Sequence, residues 1–228
     1  MRHRMLAAAV AAVFVSLPSR AATTTYDMVA DWNPPNNPNG TWAYLQGTSP
    51  LPYQSSVVPL GGAPGYAPGP SWGNFLPLVW MDAGAIFVHS VDGANGNPGL
   101  GELVMTWTAP ATGTVDITGY LYYGQPTLAR SNDFSLQLGG KALASGVVSH
   151  LVAADEAHKL TFSFTGYGVT AGDVLSLTLQ RSAGQTYGTV AVMDWTVTET
   201  TPPVPEAETY AMMLAGLGVL GAVARRRR

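Results

Sequence analysis

Between Glu102 and Val197 the apolar residues return at every second place, and only extended strands put every second side chain on one face. Leu103, Met105 and Trp107 share a face, and Val115, Ile117, Gly119 and Leu121 alternate with Thr114, Asp116, Thr118 and Tyr120. Phe134, Leu136 and Leu138 follow, and Gly139-Gly140 is a hairpin signal leading into 141–148. Leu160, Phe162 and Phe164, a turn across 166–172, then Val174, Leu175, Leu177 and Leu179, and finally 190–197 complete the pattern. The spacing predicts an all-β body, an antiparallel β-sandwich of two sheets packed face to face.

The first half is less regular. Residues 33–40 and 61–73 are rich in proline and glycine, which remove ladder donors and supply little packing, so they read as loops. Short strands fit at 41–46, 78–82 and 86–90, and long surface loops between them are where a binding function would sit. The chain has no cysteine, so packing alone must hold the body together, and thiolate or disulfide chemistry is excluded.

Both ends depart from this pattern. Arg2, His3 and Arg4 precede an apolar run at 5–17, and Ser19-Arg20-Ala21 places small residues at the positions that matter for cleavage. Residues 1–21 therefore read as a secretory signal-peptide helix cut after Ala21. At the other end Val204-Pro205-Glu206-Ala207 precedes an uncharged apolar segment at 210–224, and Arg225, Arg226, Arg227 and Arg228 follow it. Those 15 apolar residues would reach about 22 Å as a helix, against a hydrocarbon core of about 30 Å, so the segment is short for a permanent anchor. The arginines act as a membrane stop that keeps the terminus on the cytoplasmic side. The expected organisation is a signal peptide at 1–21, a β-sandwich domain at 22–200, and a linker with a hydrophobic helical tail at 201–228.

The short polar motif, apolar span and terminal arginines, in that order, resemble the PEP-CTERM sorting signal of Gram-negative envelopes, the substrate of exosortase. Where that family usually has a second proline, this chain has Ala207. The resemblance implies export, transient retention at the inner membrane, cleavage near Pro205-Glu206 by an exosortase-type enzyme, and delivery to the cell surface or an exopolysaccharide matrix. A second stretch, from Gly101 through Trp107-Thr108-Ala109-Pro110 to Gly113 and Thr114, is similar to the strand-turn-strand of jelly-roll domains in exported bacterial proteins and some carbohydrate-binding modules. It implies a jelly-roll-like sandwich.

Within 22–200 the cations Arg130, Lys141, Lys159 and Arg181 face twelve carboxylates, which leaves a formal charge of −8. Nucleic acid and anionic lipid demand clustered cations and are poor partners for such a body. Gly69-Pro70-Ser71-Trp72-Gly73 spells a serine-hydrolase pattern but lacks the strand before it and the helix after it that the chemistry needs. Gly216, Gly218 and Gly221 spell a dinucleotide-binding pattern with no βαβ unit around them. Asp155-Glu156 are adjacent and diverge, whereas an acid/base pair must face across a cleft. His89, His150 and His158 lack ligand spacing and read as solvated or edge positions.

Asp92, Asn95 and Asn97 offer oxygen ligands to a calcium ion, although asparagine and glycine at such spacing more often make a plain turn. Aromatic rings are the feature with a binding character. Trp32, Trp42, Tyr44, Tyr53, Tyr66 and Trp72 cluster in the loop-rich half, and Tyr120, Tyr122 and Tyr123 share one strand. Flat rings stack on sugars, so Trp42, Tyr44 and Trp72 are the candidate glycan contacts, although core packing would use the same rings. The reading is a non-enzymatic exported surface or matrix protein with no cofactor. A carbohydrate-binding module, assisted by calcium in one version, is the alternative; a glycan-active enzyme comes last for want of an acid/base pair.

Overall fold

The computed structural model describes residues 20–93, 102–203 and 207–226. Residues 23–201 form one compact unit, whose regular structure is antiparallel strand apart from two short 3-10 turns. In chain order these are β1 (Ala22–Asp27), β2 (Trp42–Gln46), β3 (Ser49–Pro50), β4 (Tyr53–Gln54), β5 (Gly65–Tyr66), β6 (Leu78–Asp82) and β7 (Ala85–His89). The regular half follows with β8 (Leu103–Thr108), β9 (Gly113–Tyr123), β10 (Ser131–Leu138), β11 (Lys141–Ser149), β12 (Leu160–Val169), β13 (Val174–Arg181) and β14 (Val190–Thr201).

The strands divide into two sheets. One runs β12-β9-β14-β7-β6-β5-β4, with β1 also paired to β14; the other runs β11-β10-β13-β8-β2-β3. The eight strands β7 to β14 thus lie as β7-β14-β9-β12 in one layer and β8-β13-β10-β11 in the other, the two Greek keys of a jelly roll.

The alternation seen in the sequence decides which side chains enter the core. Trp42 and Trp107 face each other across β2 and β8, as do Tyr44 and Met105, and all four are buried. From the other sheet Val115, Ile117 and Leu121 of β9 meet them, beside Met193, Trp195 and Val197 of β14. Gly119 lies opposite Trp195, and a methyl group there would sit 2.6 Å from the Phe162 ring and 2.7 Å from the Asp194 carbonyl, so only glycine lets the strands close. Gly113, the glycine of the jelly-roll signature, is held by the same constraint, because a side chain would strike the carbonyl of Thr200.

Three features depart from the sequence reading. β12 does not turn at 166; it continues to Val169 through a bulge after Phe164, with Gly166 at φ +70° accommodating the extra residue. β1 has no alternation because Ala22 to Thr25 are exposed on both faces and only Tyr26 and Asp27 are half-buried, and it exists by pairing with β14: the Met28 amide donates to the Trp195 carbonyl at 3.1 Å. Finally, part of the 57–76 region is not simple loop. Val57, Ala67 and Leu76, with Leu60 and Phe75, form a small second core against Leu78 and Trp80, on the outer face of the first sheet.

That layer buries His89, which the sequence suggests is solvated or at an edge. Its Nδ1 lies 2.7 Å from the Ser90 carbonyl, Phe75 stands 6.4 Å away edge-on, and burial pushes the imidazole below its ordinary pKa.

The second described unit is the helix α1 (Ala207–Arg226), of 20 residues, with Arg225 and Arg226 in its last turn. Among the described residues no helix is long and apolar enough to cross a membrane. The apolar run of 210–224, short for a permanent anchor by its sequence, lies within α1. Leu214, Leu217, Val219 and Leu220 are nonetheless exposed, so α1 is apolar around much of its circumference. Residues 1–19, which the sequence reading assigns to a signal peptide, lie outside the described residues, as do Val204, Pro205, Glu206, Arg227 and Arg228.

Candidate functional site

The sequence-predicted glycan contacts separate into two kinds. Trp42 and Tyr44 are 0 % exposed and cannot meet a ligand, which overturns that expectation for both. They occupy inward places on β2: Trp42 packs at 5.5 Å from Trp195 and donates from its indole to Asp31 at 2.9 Å, while Tyr44 packs at 4.8 Å from Tyr66 and 5.3 Å from Trp32. Burial drives the Tyr44 hydroxyl far above its ordinary pKa and pushes Tyr66 up to about 12. Trp72 is the opposite case. It is 71 % exposed, with its ring edge-on to Phe75 at 5.4 Å.

Asp92 is turned into the fold. Its Oδ1 accepts the Gly188 amide at 2.7 Å, so the carboxylate pins one loop to another. Asn95 and Asn97 lie outside the described residues. No group of three or more His, Cys, Asp or Glu side chains converges as a metal site among the described residues. Asp155 caps the short 3-10 turn Glu156–His158, accepting the His158 amide at 3.0 Å, and lies 2.7 Å from the imidazole; these contacts pull its carboxyl below the ordinary value.

What the sequence could not assemble is the outer face of the first sheet. Across β9 and β14 the register sets Thr114 opposite Thr200, Asp116 opposite Thr198, Thr118 opposite Thr196 and Tyr120 opposite Asp194. On the other side of β9, Thr161 stands opposite Tyr120 and Ser163 opposite Thr118. β1 extends the array, with the Thr25 and Thr198 hydroxyls 3.4 Å apart and Thr196 donating to Asp27 at 3.3 Å. The T-x-T spacing in single strands is visible in the sequence, but only strand register reveals a continuous hydroxyl surface.

A depression of about 360 Å³ lies in this surface, lined by Thr118, Tyr120, Thr161, Ser163, Asp194 and Thr196. Tyr120 and Tyr122 stand nearly parallel at 6.1 Å, and the Lys159 ammonium lies 4.2 Å over the Tyr120 ring. Burial raises the pKa of Asp194, and Asp27 adds to the effect. Burial and then Asp194 raise Tyr120 in turn. This surface offers hydroxyl donors and acceptors, ring edges and the carboxylates of Asp27, Asp116 and Asp194.

Against known proteins, residues 203–228 match the family of the PEP-CTERM protein-sorting motif. The chain therefore carries the sorting signal of exported proteins that exosortase handles at the membrane. No curated protein matches the sequence. Among solved structures, a family 35 carbohydrate binding module from Clostridium thermocellum aligns with 11% identity and TM-score 0.34, covering 77% of this chain and 98% of that one. The C-terminal CBM6 of the laminarinase LamC from Zobellia galactanivorans aligns with 14% identity and TM-score 0.30, covering 69% and 98%. CsCBM6-3 from Clostridium stercorarium, solved with cellobiose, gives 15% identity and TM-score 0.29, covering 54% and 81%. Similarity at this level says nothing about which ligand this chain takes.

Proposed function

We propose that this chain is the precursor of a non-enzymatic protein of the cell surface or exopolysaccharide matrix. The observation that carries the proposal is the sorting motif at 203–228, attached to a body that is a compact unit by itself. In this reading the signal peptide directs export and Arg225 to Arg228 stop the terminus at the inner membrane. Moving each guanidinium into hydrocarbon costs about 3 kcal/mol even on lenient scales. An exosortase-type enzyme then cuts near Val204 to Ala207. The apolar circumference of α1 supports transient lodging in lipid, and its shortfall as a span suits a segment that is later removed. Cell fractionation of Arg225–Arg228→Ser and Glu206→Ala variants tests this. The first should escape the membrane uncut, and the second should accumulate there uncut; normal surface delivery of both would refute the proposal.

A second reading, that the body binds carbohydrate, is favoured by exposed Trp72 and by the hydroxyl-lined outer face with its tyrosine pair. Calcium assistance through Asp92 would use its Oδ2, because Oδ1 already accepts the Gly188 amide.

A further inference from the structure

Asp194 stands out on the outer face because one of its oxygens is left without a partner. Its Oδ1 is buried and has no hydrogen-bond partner within the protein, although the residue lines an open depression. A buried carboxylate oxygen without a donor is costly, and folded chains rarely keep one unless it serves a purpose. The Trp195 and Val29 backbone amides bond this carboxylate, but Oδ1 stays without a donor. Across the register stands the Tyr120 ring, the Lys159 ammonium lies over that ring, and the flanking carboxylate is Asp27, already accepting from Thr196 and from the Ala30 amide.

We infer that the depression bounded by Thr118, Tyr120, Thr161, Ser163, Asp194 and Thr196 is the binding site for a neutral glycan chain. This rests on the carbohydrate-binding reading and names its site and ligand class. Asp194 accepts a sugar hydroxyl. A carboxylate torsion is broad and roughly two-fold, so a small rotation brings the buried oxygen to the ligand. The hydroxyls of Thr118, Thr161, Ser163 and Thr196 act as donor or acceptor to further ring hydroxyls, which is why so many hydroxyls can serve one polyol. Tyr120 forms the apolar wall. The row of short side chains running on to Thr114, Thr198 and Thr200 leaves a flat track for neighbouring sugar units.

Charge selects the occupant. Asp27, Asp116 and Asp194 lie on this face, Glu156 lies near Tyr120 and Tyr122, and the body carries −8 in all, so an anionic polysaccharide meets repulsion where a neutral one does not.

The test is calorimetric titration of the full chain in detergent with cellohexaose, laminarihexaose and mannohexaose, and with polygalacturonate as the anionic probe. At least one neutral probe should bind. Its Kd should rise about tenfold or more in Asp194→Ala and in Tyr120→Ala. Thr118→Arg, at an exposed position where folding is unaffected, should abolish binding by filling the depression and pairing with Asp194. Trp72→Ala should leave the Kd unchanged. Binding to a neutral probe that is lost in Trp72→Ala and retained in Thr118→Arg overturns the site but leaves the carbohydrate-binding reading standing. A preference for polygalacturonate overturns the ligand class. No binding to any probe overturns the inference and that reading together.

Discussion

Replacing Trp42 by alanine should unfold much of what the fold gains from its core, whereas the same change at Trp72 should do almost nothing. Trp42 is wholly buried, faces Trp107 across β2 and β8, and packs against Trp195. Truncating such a ring costs about 3–5 kcal/mol in transfer and cavity terms. Its indole also loses a bond to Asp31, but that carboxylate is exposed and still accepts the Asp27 amide at 3.0 Å, so water replaces the indole and the added cost is about 1 kcal/mol or less. For a body spanning Thr23–Thr201, a loss of about 4 kcal/mol lowers Tm by about 8–16 °C. Trp72, 71 % exposed, should fall within about 0.5 kcal/mol of wild type. Urea denaturation followed by far-ultraviolet circular dichroism measures both. A Trp42→Ala loss under about 1 kcal/mol would mean that the ring is not in the core, and the assignment of β2 would fail with it.

Two further outcomes follow from particular carboxylates. Asp194 has its folded pKa raised by burial, so its protonated form is favoured in the fold; the stability this lends is present below the ordinary carboxylate pKa and is lost as pH rises through the raised value. Asp194→Asn should therefore melt with wild type at about pH 3 and above it at about pH 7, and equal melting temperatures at both would contradict the burial argument. Because no cluster of ligating side chains converges on Asp92 among the described residues, millimolar calcium should leave Tm unchanged; a rise of several degrees that disappears in Asp92→Ala would establish a calcium loop instead.

The second half of the body was legible because period and burial agree there. Leu103, Met105 and Trp107, or Val115, Ile117 and Leu121, alternate so regularly that each strand and its inner face follow from local pattern alone. Trp42 and Tyr44 show where that reasoning stops. A ring in a loop-rich stretch looks the same whether it faces solvent or a sheet, and only the pairing of β2 with β8 turns both inward. His89 was misread because its cover, the small core around Val57 and Leu76, comes from segments whose proline and glycine hide their packing. The candidate site was hidden for a related reason. Thr118, Ser163, Asp194 and Thr196 are ordinary outward residues on three strands far apart in sequence, and only long-range register makes them neighbours. The tail was the reverse case, since its meaning lies in the linear order of motif, apolar run and arginines, which needs no fold to be read.

The central claim is that this order is a cleavable address, and mass spectrometry of the exported protein's carboxyl terminus tests it most directly. The mature protein should end close to Pro205-Glu206, without α1 and without its arginines. A surface-delivered protein that still ends at Arg228 would show that the tail is a permanent anchor and that the sorting account is wrong.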